Sequence, residues 1–171
     1  MLLVVSSAAL EQTGHSLYAG QEEREIKSLS TEEIESYLSG DGMGLAKAAE
    51  LNHYPGPKHV LDWAEKLRLA EKQLARTKEI YQAMHQETVA LGKLIVEKER
   101  MLNGLFAGRK IDRRQLESLV FEIAALQGKL RATHLTAHLE MRGVLLPEQI
   151  VKYDALRGYE SNQRHDSSHH P

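Results

Sequence analysis

Two long segments of this chain place apolar or neutral residues at alternating steps of three and four. The first spans 71–106, the second spans 116–141, and a short turn at 107–110 separates them. Such steps match the period of an amphipathic α-helix, whereas half-buried strands alternate every second residue. Each predicted helix is roughly 50 Å long, at 1.5 Å per residue. Because the connection is short, the pattern predicts two long helices that lie antiparallel.

Shorter helices are predicted on both sides of this pair. Ser30 and Glu33 form a capping-box pattern that starts a helix, and the glycine-rich loop 40–44 ends it. Further helices are predicted at 45–51, at 59–69 and, opened by Pro147, at 148–156. Two long helices bury their stripes poorly alone, and only 5% of the chain is aromatic. The flanking helices or a second chain must cover them, so we predict an all-α homodimer.

The composition excludes several classes of protein. The chain has no cysteine, which rules out a disulfide framework and thiolate metal sites. Residues 1–57 carry three basic against nine acidic residues, whereas 58–158 carry 18 against 13. The two parts could attract each other, or the basic part could face acidic partners. We find no nucleic-acid-binding motif, no catalytic motif and no run of ~18 apolar residues, so we predict neither nucleic-acid binding, enzymatic activity nor membrane insertion.

The first ten residues, Met1–Leu10, combine a short apolar stretch with small residues, as the end of a secretory signal does. The basic segment of a complete signal does not precede this stretch. Two interpretations remain open: a signal peptide whose start lies further upstream, or an ordinary N-terminus. We adopt the first as a hypothesis, with 1–19 as a truncated signal, and it predicts export.

Two five-residue segments share the form Leu-x-x-x-Gln at predicted helix starts. One runs from Leu69 to Gln73, before the first long helix, and the other from Leu145 to Gln149, at the last helix. The pair resembles the LTxxQ motifs of the Spy/CpxP family, which includes zinc-resistance-associated and heavy-metal-resistance periplasmic proteins. Alanine and leucine stand in the two threonine positions, so the side chain that would cap each helix is missing.

This resemblance implies a fold and two activities. The family fold is a hooked helical hairpin, in which two long antiparallel helices are each flanked by a shorter one, and it forms a dimer. Some members are ATP-independent periplasmic chaperones that hold unfolded clients on a basic concave face, and others bind zinc, copper, nickel or cobalt. The resulting division of the chain is a signal at 1–19, an N-terminal helical extension at 20–57, the hairpin domain at 58–158 and a disordered His-rich tail at 159–171.

Four side chains are candidate metal ligands, and Glu79 could supply a further one. His134 and His138 lie four residues apart on the apolar face of the second long helix, so both point to one side. Met141 falls close to the same line, and folding the hairpin brings His85 and Glu79 near from the facing helix. Imidazoles at this spacing suit Zn, Cu or Ni, and a thioether favours the softer copper. The alternative is that the two histidines on the second helix are hydrogen-bonded packing residues.

Two other groups of residues also have alternative interpretations. Arg109, Lys110, Arg113 and Arg114 make the turn between the long helices basic. Such a turn is usually solvated, and its functional interpretation is a contact for acidic clients or anionic lipid headgroups. We assign these four residues to client binding. The three tail histidines within 165–170 either chelate an ion loosely or are solvated.

These observations predict a periplasmic envelope-stress protein that binds unfolded client protein, heavy-metal ions, or both, with no required cofactor. One alternative is a dedicated sensor or buffer of zinc, copper or nickel centred on His134 and His138. Another is a regulatory partner of a sensor kinase. Suppression of client aggregation would support the first, and metal-dependent stability would support the metal sensor.

Overall fold

The structure, a computed structural model, describes residues 16–159 of the chain. Within this range every regular element is a helix, which confirms the prediction of an all-α protein. A 3₁₀ turn at Gln21–Glu23 precedes six α-helices. They are α1 (Thr31–Ser39), α2 (Lys47–Glu50), α3 (Pro57–Asp62), α4 (Glu71–Ala107), α5 (Arg113–Val144) and α6 (Pro147–Arg157).

The starts of two helices follow the predicted capping patterns. At the start of α5, the Asp112 carboxylate accepts a hydrogen bond from the backbone N–H of Gln115, and the Gln115 side chain accepts one from the Asp112 N–H. The same reciprocal pair between Ser30 and Glu33 starts α1. Both pairs satisfy N–H groups that a helix N-terminus leaves free. The long helix α4 differs from its predicted range by one residue.

Three predicted helix boundaries are wrong. α2 has only four residues, and α3 ends at Asp62 rather than near residue 69. The chain after α3 turns through Arg68, whose φ is 53°, and so approaches the start of α4. Gly143 does not end α5, which continues to Val144 until the extended backbone before Pro147 stops it.

The most extensive contact within residues 16–159 joins the two long helices α4 and α5. Their apolar faces meet where Leu91 and Ile95 of α4 contact Leu130 of α5. Two ion pairs connect the same helices: Arg76 with Glu140 at 2.7 Å, and Lys98 with Glu122 at 2.6 Å. The prediction that the two apolar stripes pack against each other is therefore confirmed.

The shorter helices α3 and α6 fold over one end of this pair and form the largest hydrophobic cluster, the base cluster. Its buried side chains come from α3 to α6 and the turns between them: Val60, Leu67, Ile80, Ala137, Met141, Leu145, Ile150 and Tyr153. Trp63 packs edge-on against Tyr153, with ring centroids 5.8 Å apart. Burial of each large side chain contributes about 1.5–3 kcal/mol, so this cluster fastens the flanking helices to the long ones.

The N-terminal extension packs along α4. Ile26 and Leu29 are buried against Val96, and α1 contacts α4 at Gly92. A Cβ atom at Gly92 would lie 1.9 Å from the carbonyl oxygen of Tyr37, so only glycine permits this approach. The extension thus covers one face of the two long helices over most of the length of α4.

The two Leu-x-x-x-Gln segments meet beside the base cluster. Gln73 and Gln149 each accept a hydrogen bond from the backbone N–H three residues earlier, at 3.0 and 2.9 Å. The two side chains also bond to each other, with Gln73 Nε2 2.8 Å from Gln149 Oε1. Leu145 belongs to the base cluster, and Leu69 packs against it. Each glutamine therefore caps its own helix and binds the other motif.

Replacing Ala70 with threonine is expected to stabilise the protein, because the N-cap of α4 lacks a side-chain acceptor. A threonine hydroxyl would accept a hydrogen bond from the first turn of α4 and add about 0.5–2 kcal/mol to the free energy of unfolding. Urea unfolding measures this gain. The control is Ala75→Thr, at an exposed position inside α4, where a β-branched residue lowers helix stability slightly. Equal effects of the two substitutions would contradict the capping argument.

Candidate metal-binding site

A cavity of about 400 Å³ lies between the N-terminal extension and the two long helices. Its walls come from the glycine-rich loop 40–44, α2, α3, α4, α5 and the end of α6. The histidine, methionine and carboxylate side chains that line it are His59, His85, His134, His138, Met43, Met84, Asp41 and Glu50. We call it the histidine cavity. It brings together three of the four predicted ligands from two different helices.

His138 is held in a tautomer that leaves one nitrogen ready to bind a metal. Its Nδ1 lies 2.7 Å from the carbonyl oxygen of Tyr54. A carbonyl only accepts hydrogen bonds, so Nδ1 carries the hydrogen and Nε2 of the neutral ring carries the lone pair. Gly56 packs on this nitrogen: a Cβ atom there would lie 3.0 Å from Nε2. The extension thus orients the imidazole, as outer-shell partners do in metal sites.

His134 carries a polar atom that is buried without a partner. Its Nε2 is inaccessible to solvent and has no hydrogen-bond partner among residues 16–159. Burial lowers the pKa of His134, the neighbouring His138 lowers it further, and the backbone carbonyl of Asp41 opposes the shift. The ring therefore stays neutral at neutral pH. An unsatisfied buried nitrogen costs about 1–3 kcal/mol, which a bound cation would recover.

The α4 wall of the cavity adds His85, Met84 and Tyr81. The His85 ring packs against Tyr81 at 5.6 Å between centroids and is half-buried. Met43, on the opposite wall, is 39% exposed and has a φ of 45°, in the left-handed region. Imidazole and thioether donors together suit Zn, Cu or Ni, with the sulfur atoms favouring copper.

Glu50 of α2 is a buried carboxylate that joins the extension to the C-terminal helix. Its Oε1 accepts hydrogen bonds from the Tyr153 hydroxyl at 2.8 Å and from Arg157 Nε at 2.6 Å. Its Oε2 lies 3.5 Å from Nδ1 of His138. Burial raises the pKa of the Tyr153 phenol, so its hydroxyl remains a donor. Tyr159, which the prediction assigned to the tail, contacts the same carboxylate at 3.4 Å.

The side chains of the cavity are near one another but not arranged as a finished coordination shell. Among residues 16–159, no three His, Asp or Glu side chains converge closely enough to hold an ion. His134 and His138 offer nitrogens at fixed positions, whereas His85 would have to turn away from Tyr81. The donor set fits a metal ion that is captured by rotation of side chains, with water filling further positions.

The other predicted site residues lie elsewhere. Met141 is fully buried in the base cluster and is not one of the residues that line the histidine cavity. Glu79 pairs with Arg76 at 3.1 Å and lines a separate groove, so it does not face the two histidines of α5. Arg109 and Lys110 occupy the exposed turn, and Arg113 and Arg114 the exposed start of α5. The predicted signal before residue 16 and the tail histidines lie outside the described residues.

Comparison with known families decides where this chain belongs. A family model described as heavy-metal resistance matches residues 54–152, which is more than half of the 171 residues. The chain belongs to the heavy-metal resistance family. This is the Spy/CpxP-like, zinc-resistance-associated group that the paired motifs resemble, so that prediction is confirmed. Comparisons with curated proteins and with solved structures gave no significant match.

The heavy-metal resistance match covers only part of the histidine cavity. It includes His85, His134 and His138, but it begins after Met43 and Glu50. Sequence reasoning missed Glu50 as a site residue, because its partners on α6 are more than 100 residues away. None of the helices within residues 16–159 is long and apolar enough to cross a membrane.

Proposed function

We propose that this protein binds a heavy-metal ion, Zn, Cu or Ni, in the histidine cavity and so takes part in heavy-metal resistance of the cell envelope. The observation that carries the proposal is the hydrogen bonding of the ring nitrogens of the two α5 histidines. His138 presents a lone pair on Nε2 because its Nδ1 donates to Tyr54, and His134 buries an Nε2 without a partner. Membership of the heavy-metal resistance family supports the same function.

The mechanism is reversible capture of an ion that is cargo rather than a resident cofactor. His134 and His138 would bind first, because their nitrogens are already oriented and the site excludes much of the solvent. His85 and the thioethers of Met43 and Met84 would then complete the shell by rotation. Glu50 would compensate part of the positive charge that the ion brings into the cavity.

Several finer features belong to this proposal. We infer that the protein acts in the periplasm after export, as a binding protein without enzymatic activity. The ion pair Arg76–Glu140 links the start of α4 to the end of α5, and Lys98–Glu122 links the C-terminal part of α4 to the N-terminal part of α5. This reversed order supports an antiparallel hairpin. Exposed apolar residues such as Leu139 on α5 and Val151 on α6 support a homodimer. Client holding and regulation of a sensor kinase stay predictions.

Calorimetric titration of the protein with Zn(II), Cu(II) and Ni(II) tests the proposal. We expect one ion per chain. The double variant His134→Gln/His138→Gln is expected to bind at least about 100-fold more weakly, because even outer-shell partners contribute 10–100-fold. Thermal unfolding gives a second readout, since an ion that binds the folded state raises its Tm.

Two controls locate the site. His53→Ala removes a histidine that pairs with Asp154 outside the cavity, and it should leave metal binding unchanged. A chain that ends at Tyr159 removes the tail histidines. Binding that disappears with the tail but survives the double variant, in a protein whose circular dichroism remains helical, would refute the cavity as the site.

A further inference from the structure

The turn between the long helices projects beyond the N-terminal extension. The extension reaches α4 as far as Asn103, whose amide donates to the carbonyl of Glu25. Residues 104–116, which we call the tip, follow this contact. The tip carries four basic residues and one acidic residue, Asp112. It is therefore a positively charged end on an elongated helical pair.

Two of these charges, those of Arg113 and Arg114, lie where they oppose local stability. Arg113 and Arg114 occupy the first turn of α5, which contains no acidic residue. The N-terminus of a helix carries partial positive charge, so cations there are unfavourable and acids are preferred. Arg109 has a φ of 53°, a left-handed conformation that favours glycine or asparagine. Residues that oppose their own local structure are expected at functional sites.

Apolar side chains accompany the charges. Phe106, in the last turn of α4, is 53% exposed, and Phe121, two turns into α5, is 73% exposed. Arg109 and Lys110 are exposed beside Phe106, and Arg113 makes only a 3.9 Å contact with Glu117. A surface that combines exposed aromatic rings with unpaired cations is typical of proteins that bind at a membrane interface.

We propose that the tip docks on an anionic lipid surface, with Arg109, Lys110, Arg113 and Arg114 on the headgroup phosphates and Phe106 in the interface. The inference is independent of metal binding, because the tip lies outside the histidine cavity. The shape of the tip favours a lipid surface over an acidic protein. A narrow end with clustered cations can approach a flat anionic surface, whereas a stable protein interface buries roughly 800 Å² on each partner.

Co-sedimentation of the full chain with vesicles tests this proposal. Vesicles of phosphatidylglycerol with phosphatidylcholine are compared with vesicles of phosphatidylcholine alone. We expect binding only to the anionic vesicles and a loss of binding at raised salt. Replacing the four tip cations with glutamine should weaken binding at least about tenfold, and Phe106→Ser should weaken it further.

The matched control replaces four exposed lysines outside the tip: Lys66, Lys72, Lys78 and Lys152, each with glutamine. It removes the same net charge and should retain most of the vesicle binding. Equal losses in the two variants would show attraction by net charge alone and would overturn the proposal. Binding of the tip to polyglutamate but not to anionic vesicles would also overturn it, in favour of an acidic protein partner. The tip variant should keep a helical circular dichroism spectrum and a cooperative thermal transition, which would exclude misfolding as the cause of lost binding.

Discussion

Replacing Gly92 with alanine is expected to detach α1 from α4 and to lower the free energy of unfolding by about 3 kcal/mol or more, at the upper end of the cost of overpacking. The new methyl group would meet the carbonyl oxygen of Tyr37 at 1.9 Å, and a backbone atom cannot move aside as a side-chain tip can. Urea unfolding measures the loss. Hydrogen exchange of residues 31–39 shows whether α1 is the part released.

Gly128→Ala is the matched control for this prediction. Gly128 also lies inside a long helix, but a Cβ there would meet no heavy atom within 4 Å beyond its chain neighbours and the local helix backbone. Alanine there should stabilise the protein by about 0.5–1 kcal/mol, because glycine is the poorer helix former. The same substitution at the two positions should thus change the free energy of unfolding in opposite directions. A neutral Gly92→Ala variant would mean that α1 does not pack on α4 as described.

Replacing Glu50 with alanine should lower stability by about 2–4 kcal/mol, because it breaks a buried ion pair and leaves Arg157 and Tyr153 without their acceptor. At about 2–4 °C per kcal/mol, Tm should fall by on the order of 10 °C. The same variant should weaken metal binding, since it removes a negative charge from the cavity. Thermal unfolding and calorimetry measure the two effects.

The control is Glu97→Ala, which removes an exposed carboxylate from α4 and should change stability by less than about 0.5 kcal/mol. A double-mutant cycle with Arg157→Ala isolates the interaction between the two charged groups. If Glu50→Ala and Glu97→Ala lower stability by equally small amounts, the Glu50 carboxylate does not form the buried contacts with α6 that the distances indicate.

Features of the fold that depend on neighbouring residues could be predicted from the sequence. The start of α5 follows from Asp112 and Gln115, and the length of α4 and α5 follows from their apolar period. The end of α3 could not be predicted in this way. Residues 63–69 are good helix formers, yet Trp63 leaves the helix so that its ring can pack on Tyr153. Tertiary packing overrides a propensity worth only tenths of a kcal/mol per residue.

The candidate site was predictable only on the hairpin side. The spacing of His134 and His138 places them on one helix face, and the packing of α4 against α5 brings His85 near. Met141 satisfies the same spacing, but its position nearer the base cluster buries it among aliphatic side chains. Glu50 has no signal in the sequence, because a glutamate in a short polar helix normally faces water. Only the fold of the extension onto α5 and α6 makes it a buried residue.

The histidine cavity has consequences for how such proteins diverge. Its imidazoles come from the shared family domain, whereas Glu50, Met43 and the Tyr54 carbonyl come from the extension or from the first matched residue. Exchange of the extension alone would alter the charge of the cavity, the softness of its donor atoms and the access of ions to it. The histidines would stay in place. Under the proposed function, ion preference could therefore evolve by recombination at the domain boundary, without disrupting the core between the two long helices.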